Sequence, residues 1–237
     1  MKKYMPKLMV MVCIVLAVAG LTGCGEYKKN IPGAWSYDVS YEQYAADVAG
    51  QWLSDALLSE HVDVDDYMTQ IFVTVVLTTD EEGNWEQHVD EGSYNAACQN
   101  AVAGFKQAFM ELLLIRAVNE GNIIHENVSG VTHEENLAQA EELFNRAMQM
   151  SFEDYIASNC SPLMPSYEEV NNIYSCAGTY KIDSKGIYRN VSLLGGNETS
   201  VSLQEDYLLN EDVLIFTKCV SEQNVGIEYP VSYIRVK

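Results

Sequence analysis

Alternating apolar and polar residues recur in short segments along this chain, and they set the strongest limit on its fold. In the first segment Trp35, Tyr37 and Val39 alternate with small or polar residues, which is the two-residue period of a half-buried strand. A further strand is predicted at 71–78, which is almost wholly apolar or β-branched. Other predicted strands follow at 85–89, 180–182, 187–188, 201–203, 213–219 and 227–236. About eight consecutive antiparallel strands are what a small closed barrel needs, so the pattern predicts a meander or a barrel.

Two of the predicted turns share one pattern: an Asp, two residues, a Gly, one residue and an aromatic. The pattern occurs at Asp80–Trp85 and again at Asp183–Tyr188. Glycine suits such turns because it tolerates a positive φ. The sequences flanking the two turns do not match, so we interpret the recurrence as repeated hairpin chemistry rather than as a duplicated domain.

Helical periodicity interrupts the strands twice. Apolar residues from Tyr41 to Leu57 recur every three or four positions, which predicts one helix. A longer helical insertion is predicted at about 92–175, with Thr132 and Glu135 as a capping box for one of its helices. We therefore expect an α+β fold, in which about eight antiparallel strands form a meander or barrel around a helical insertion.

The first 24 residues have the layout of a bacterial export signal. Three Lys precede an apolar run from Leu8 to Leu21, which is short for a membrane span. Leu21-Thr22-Gly23-Cys24 resembles the lipobox of bacterial lipoproteins, in which the signal is removed before the Cys and the sulfur receives a lipid such as palmitate. An ordinary thiol after a plain secretory signal is the alternative for Cys24.

The lipobox resemblance implies an organisation for the whole chain. Residues 1–23 would be the signal peptide, Cys24 the lipid attachment site and 24–30 a short tether. We interpret 31–237 as a single α+β domain that contains the helical insertion. The protein is then expected at the cell membrane, lipid-anchored on its extracytoplasmic face.

The chain is strongly acidic, with a formal net charge of −20. Three Lys lie in the predicted signal, so the mature protein would be more negative still. Such a surface is repelled by nucleic acid and by anionic headgroups, and it is compatible with cationic partners. We expect no nucleic-acid partner, and the alternative meaning of the charge is solubility alone.

Four cysteines remain once the signal and the lipidation site are set aside: Cys98, Cys160, Cys176 and Cys219. An even number in an exported protein is compatible with disulfides, and three pairings are possible. Their spacing matches no zinc motif, and each lies within an apolar pattern. Disulfide pairing and four buried free thiols therefore remain equal alternatives.

A first-strand Gly33-x-Trp35 and a last-strand Arg235 resemble the lipocalin and streptavidin-type barrels. In those families a first-strand Trp packs at the closed end of the barrel beneath a last-strand Arg, which implies structural roles for all three residues. The layout is also similar to acidic lipoproteins of Gram-positive gut bacteria with a helical insertion. The lipocalin Thr-Asp-Tyr turn is absent, unless Asp206-Tyr207 is its remnant, and the resemblance identifies no ligand-binding residue.

Sequence motifs of catalysis are missing. The chain has no Gly-x-Ser-x-Gly elbow, His-Glu-x-x-His motif, phosphate loop or dinucleotide fingerprint. His61, Asp63, Asp65 and Asp66 place possible cation ligands together, but the Gly and distal Glu of a calcium loop are lacking, which favours a solvated turn. We therefore expect no catalytic residue, no metal and no cofactor.

Three functional hypotheses follow. The leading one is a membrane-anchored extracytoplasmic lipoprotein, not an enzyme, that binds a small apolar or amphipathic ligand or a component of the cell envelope. The alternative is a structural or protein-interaction module without a ligand cavity. An unrecognised enzyme is the third. The first hypothesis expects a cavity between the strands.

Overall fold

The computed structural model describes residues 30–55, 62–124, 130–159, 162–183, 186–220 and 228–237. In chain order its elements are β1 (Gly33–Ser40), α1 (Glu42–Asp55), a 3₁₀ turn (Val64–Asp66), β2 (Phe72–Thr79), β3 (Asn84–Val89), α2 (Glu91–Asn119), α3 (His133–Met148), α4 (Phe152–Asn159), α5 (Tyr167–Tyr174), β4 (Cys176–Asp183), β5 (Gly186–Leu194), β6 (Asn197–Asn210), β7 (Val213–Cys219) and β8 (Val231–Arg235).

The eight strands form a closed antiparallel barrel in which spatial order follows chain order. Closure is made by β8 and β1, where Trp35 lies opposite Arg235 and Ser36 opposite Ile234. Each strand therefore has a neighbour on both sides, which removes the exposed edges of an open sheet. The predicted α+β class is confirmed, and the barrel is consistent with a lipocalin-like one.

The chain divides into two compact units. The first, called the barrel unit, comprises the described residues up to Tyr37, together with those of Val76–His88 and Tyr174–Lys237. The second, called the helical unit, comprises Asp38–Val75 and Val89–Ile173. The sequence predicts one domain over 31–237 with an insertion at about 92–175. In the structure α1 belongs to the helical unit as well as the helices between β3 and β4.

Large apolar side chains make the core of the barrel unit. Trp35, Trp85, Phe216 and Tyr233 are each 3 % exposed or less. Further buried members of this cluster are Ile31, Leu77, Cys176, Ile187, Val191, Leu203, Leu209, Leu214 and Val231. Along β5 and β6 the buried positions follow a two-residue period, which is why the alternation was readable from the sequence.

The hairpin between β2 and β3 confirms the first of the two predicted turns. Both oxygens of the Asp80 carboxylate accept hydrogen bonds from Asn84, one from the backbone N–H and one from the side chain, each 2.7 Å long. These bonds lower the pKa of Asp80 from its usual value. Gly83 has a φ of +87°. In the second turn, residues 184 and 185 lie outside the described part of the chain.

An aromatic cluster forms the core of the helical unit. The ring of Trp52 on α1 lies 5.2 Å from that of Phe105 and 5.5 Å from that of Phe109, both on α2. Phe144 on α3 and Phe152 on α4 also belong to the cluster, at 5.5 and 5.2 Å from Phe109. This packing explains why α1 and the inserted helices form one unit.

The start of α3 has the predicted capping box. The Thr132 hydroxyl oxygen accepts from the Glu135 N–H at 3.2 Å, and the Glu135 carboxylate accepts from the Thr132 N–H at 2.8 Å. Of the helices that the structure describes, none is long and apolar enough to cross a bilayer.

Candidate functional site

A buried ion pair lies in the barrel unit. The Arg189 guanidinium on β5 donates from Nε and Nη2 to the two carboxylate oxygens of Glu205 on β6, and both N–O distances are 2.5 Å. The side chains are 2 % and 0 % exposed. Arg189 pairs with Leu203 and Glu205 with Ile187 in the strand register, so the two charges are diagonal neighbours on one face.

Two aromatic rings flank the Arg189 guanidinium. Its Cζ lies 4.7 Å from the ring centroid of Trp85 on β3 and 4.7 Å from that of Phe216 on β7. The electron-rich faces of such rings attract a cation, and the attraction is strongest where water is excluded. The ion pair comes from β5 and β6, and the two rings beside its guanidinium come from β3 and β7.

A tyrosine donates the third hydrogen bond to the Glu205 carboxylate. The Tyr229 hydroxyl donates to Oε1 of Glu205 at 2.6 Å, so this carboxylate accepts three hydrogen bonds. Burial, followed by the hydrogen bond to Glu205, raises the pKa of Tyr229. Burial lowers the pKa of Arg189, but the charge of Glu205 and the hydrogen bonds to it outweigh burial and raise that pKa above its ordinary value. The guanidinium is therefore charged at neutral pH.

A second polar chain lies in the same core. The Tyr233 hydroxyl donates to Oε1 of Gln87 at 2.7 Å, and Nε2 of Gln87 donates to the Tyr174 carbonyl at 2.8 Å. Tyr37 packs edge-on against Tyr233, with ring centroids 4.9 Å apart. Burial raises the pKa of both Tyr37 and Tyr233, and the charge of Arg189 partly offsets that rise. The two tyrosines are therefore neutral hydroxyls close to the cation.

One nitrogen of the ion pair has no hydrogen-bond partner among the residues that the structure describes. Nη1 of Arg189 is buried and makes no hydrogen bond within the described part of the chain. An unpaired buried donor costs about 1–3 kcal/mol, and more when it belongs to a charged group. Such an atom is uncommon in native structures and marks a position where an oxygen acceptor would be favourable.

The nearby thiol is unsuited to nucleophilic chemistry. Burial raises the pKa of Cys176 to about 11, the charge of Arg189 opposes this rise, and that of Glu205 adds to it. The thiol is protonated at neutral pH and reacts slowly, because the thiolate is the nucleophile.

The structure brings Gly33, Trp35 and Arg235 together, the arrangement that the barrel resemblance implies. The Arg235 Cζ lies 4.0 Å from the ring centroid of Trp35, which is fully buried. Nε of Arg235 donates to the Glu211 carbonyl at 3.1 Å and Nη1 to the Pro32 carbonyl at 3.2 Å. Gly33 has a φ of +138°, and a Cβ there would lie 2.7 Å from the Arg235 Nη1.

The structure shows Cys98, Cys176 and Cys219 as cysteines outside any disulfide. Cys176 is buried, and Cys98 and Cys219 are partly buried. The predicted lipid attachment site, Cys24, and the fourth disulfide candidate, Cys160, both lie outside the described residues.

A cavity of about 310 Å³ lies between α2 and α3 in the helical unit. Its lining includes Leu114, Ile115 and Val118, with His133 Nε2 2.7 Å from the Glu111 carboxylate. A second cavity, of about 650 Å³, is lined by the β2–β3 turn and by β4. Among the residues described, no three His, Cys, Asp or Glu side chains are grouped to hold a metal ion.

Sequence reasoning missed Arg189 and Glu205, although a signal was present. Arg189 takes the place of an apolar residue between Ile187 and Val191, and Glu205 follows Leu203 by two positions. Two consecutive strands, β5 and β6, therefore each have one charged residue on the buried face, and the two charges have opposite signs. That coincidence is the pattern expected for a buried pair.

Comparison with known proteins matched no family model, no curated protein and no solved structure.

Proposed function

We propose that this protein is a lipoprotein of a Gram-positive bacterium, anchored through Cys24 on the extracytoplasmic face of the membrane, and that it acts as a non-catalytic interaction module. The barrel serves as a rigid scaffold, and the acidic helical unit meets a cationic protein of the cell envelope. The export signal and lipobox of the first 24 residues support the location.

The packed core of the barrel unit is the observation that carries the proposal. Trp85 and Phe216 lie against the guanidinium of Arg189, and Tyr233 contacts Phe216 with ring centroids 5.8 Å apart. The interior of an eight-stranded barrel can be filled by side chains or can hold one small ligand, and in this barrel large aromatic side chains occupy the core. Aromatic rings and an ion pair at this position favour a scaffold over a carrier with a large apolar cavity.

The charge of the helical unit supports an interaction role. Within its described ranges the unit has 19 Asp and Glu residues but three Lys and Arg residues. Each of those three cations is already paired: Lys106 with Glu141 and Glu153, Arg116 with Glu120, and Arg146 with Glu142. The remaining carboxylates produce a negative potential that steers a cationic partner.

Crosslinking on intact cells tests this function. A single dominant protein should be captured by the wild type, and capture should fall at least about threefold when Glu91, Glu134 and Glu168 are all changed to Gln. These three carboxylates are exposed on the helical unit. The matched control changes Glu81, Glu82 and Glu198 to Gln, which removes the same charge from exposed positions of the barrel unit.

The control should capture the partner as well as the wild type does. Equal loss in both variants would point to nonspecific attraction and would contradict the interaction role. For the anchor, the wild type should incorporate labelled palmitate, and Cys24→Ser should abolish that incorporation. Equal labelling of the wild type and of this variant would contradict lipidation at this residue.

A second candidate function is the binding of a small amphipathic molecule inside the barrel. The observation in its favour is the unpartnered Nη1 of Arg189 among aromatic side chains. Native mass spectrometry of gently purified protein tests it. A co-purified small molecule that is lost in Arg189→Lys is expected, and a spectrum of the bare lipidated chain would count against this candidate.

A further inference from the structure

We propose that the core of the barrel unit contains a binding position for one neutral oxygen acceptor, such as a carbonyl, amide or hydroxyl oxygen, at Nη1 of Arg189. This inference deepens the second candidate function by naming the chemical class of the bound group. It begins with the geometry of the guanidinium, whose Nε and Nη2 are both occupied by Glu205 at 2.5 Å.

The orientation of Arg189 is fixed from three directions. Glu205 holds two nitrogens in the plane of the guanidinium, while Trp85 and Phe216 lie 4.7 Å from its carbon. A guanidinium presents five N–H donors in a rigid fork, so fixing one side of the fork also fixes the other. Nη1 is therefore a preorganised donor and not a mobile end of the side chain.

Because Arg189 is buried, its unpartnered donor has a free-energy cost that a hydrogen bond would remove. Arg189 is 2 % exposed, and Nη1 has no hydrogen-bond partner among the described residues. An oxygen atom at Nη1 would therefore satisfy the one unpartnered nitrogen of the guanidinium.

The charge at the site selects the class of acceptor. Glu205 already neutralises Arg189, and Tyr229 donates a further hydrogen bond to the same carboxylate. A second anion would place two negative charges beside one cation in a core that excludes water, which is unfavourable. A neutral oxygen gains the hydrogen bond without that cost. The site is accordingly predicted to prefer an amide or an alcohol to a carboxylate.

Acetamide and acetate test this preference, because they have nearly the same size and differ by one charge. The full-length lipidated protein in detergent micelles is titrated with each, and the Arg189 side-chain N–H signals are followed by NMR. Those signals are assigned as the ones that Arg189→Lys lacks. We expect saturable shifts with acetamide, and binding of acetate at least about tenfold weaker.

Glu205→Gln is the matched variant, since it keeps the shape of the side chain and removes its charge. Acetate should then bind at least as well as acetamide, because the charge of Arg189 is no longer neutralised. If this variant does not fold, the wild-type titrations decide alone. Acetate binding equal to or tighter than acetamide in the wild type would overturn the preference for a neutral group.

A crystal structure of the wild type tests the position itself. Electron density for an oxygen within about 3 Å of Nη1 is expected, from a bound molecule or from an ordered water. A water there, with no co-purified molecule in the mass spectrum, would leave the oxygen site standing while the ligand-binding function fails. Absence of density at Nη1 together with unchanged NMR signals would refute the site.

Discussion

Trp35 and Arg235 lie opposite each other in the strand pair that closes the barrel, with the Arg235 Cζ 4.0 Å from the Trp35 ring centroid. The same guanidinium donates to the backbone carbonyls of Asn30, Pro32 and Glu211. One side chain on the last strand therefore binds the segment that enters the first strand and the turn before β7. Its contacts join sequence positions about 200 residues apart.

Replacing Arg235 with Lys should lower the free energy of unfolding by about 1–3 kcal/mol. Lysine keeps the charge but lacks the planar fork that reaches several carbonyls while lying over a ring. Urea unfolding measures the change. Lys237→Gln is the control, because the ion pair of Lys237 with Asp212 is exposed and contributes little. Equal effects of the two substitutions would contradict this account of Arg235.

Gly33→Ala and Gly50→Ala should have effects of opposite sign. At Gly33 the φ of +138° and the 2.7 Å approach of a Cβ to the Arg235 guanidinium both oppose a side chain, so a loss of about 1–3 kcal/mol is expected. Gly50 lies inside α1, where an added Cβ would meet no atom within 4 Å, and alanine there should stabilise by about 0.5–1 kcal/mol. Thermal unfolding followed by circular dichroism compares the two, and a stabilising alanine at position 33 would be inconsistent with the structure.

Replacing one partner of the buried ion pair should lower the free energy of unfolding more than replacing both partners. Glu205→Leu leaves the cation of Arg189 unpaired and should destabilise by about 3–5 kcal/mol, while the double substitution Arg189→Met with Glu205→Leu should recover most of that loss. A double-mutant cycle by urea unfolding measures the coupling. The exposed pair of Arg146 and Glu142 provides the control cycle, with an expected coupling under about 0.5 kcal/mol. Similar coupling in both cycles would show that burial of the pair adds nothing.

Alkaline pH should weaken the fold through Cys176. Its pKa rises from about 9 to about 11 on burial, so the thiolate forms first in the unfolded chain. The contribution of the protonated thiol to the free energy of unfolding is fully present below pH 9 and is lost as the pH rises toward 11. By pH 10.5 this loss amounts to about 2 kcal/mol. Unfolding in urea at pH 7.5 and 10.5 should therefore show a smaller loss for Cys176→Ala than for the wild type. Equal losses in the two proteins would rule out a role for the thiol.

Local patterns were sufficient to identify most strands and the first hairpin. Trp35, Tyr37 and the apolar residues of β2 and β3 alternate or cluster as half-buried strands do, and Asp80 with Gly83 marks the turn. The division of the chain into a barrel unit and a helical unit could not be predicted from local patterns. The membership of α1 in the helical unit depends on the contact of Trp52 with Phe105 and Phe109, and that contact joins residues about 50 positions apart.

The sequence by itself determined the α+β class and a strand number of about eight, because both depend on short-range periodicity. Gly33, Trp35 and Arg235 were singled out by a resemblance to known barrels. Only the tertiary structure decided that Arg189 and Glu205 meet, that Trp85 and Phe216 enclose the guanidinium, and that Nη1 is left free among the described residues. The physical reason is that a charged residue on a strand is predicted to be solvent-exposed unless its buried partner is known. Strand register and barrel closure supply that partner, and both are properties of the folded chain.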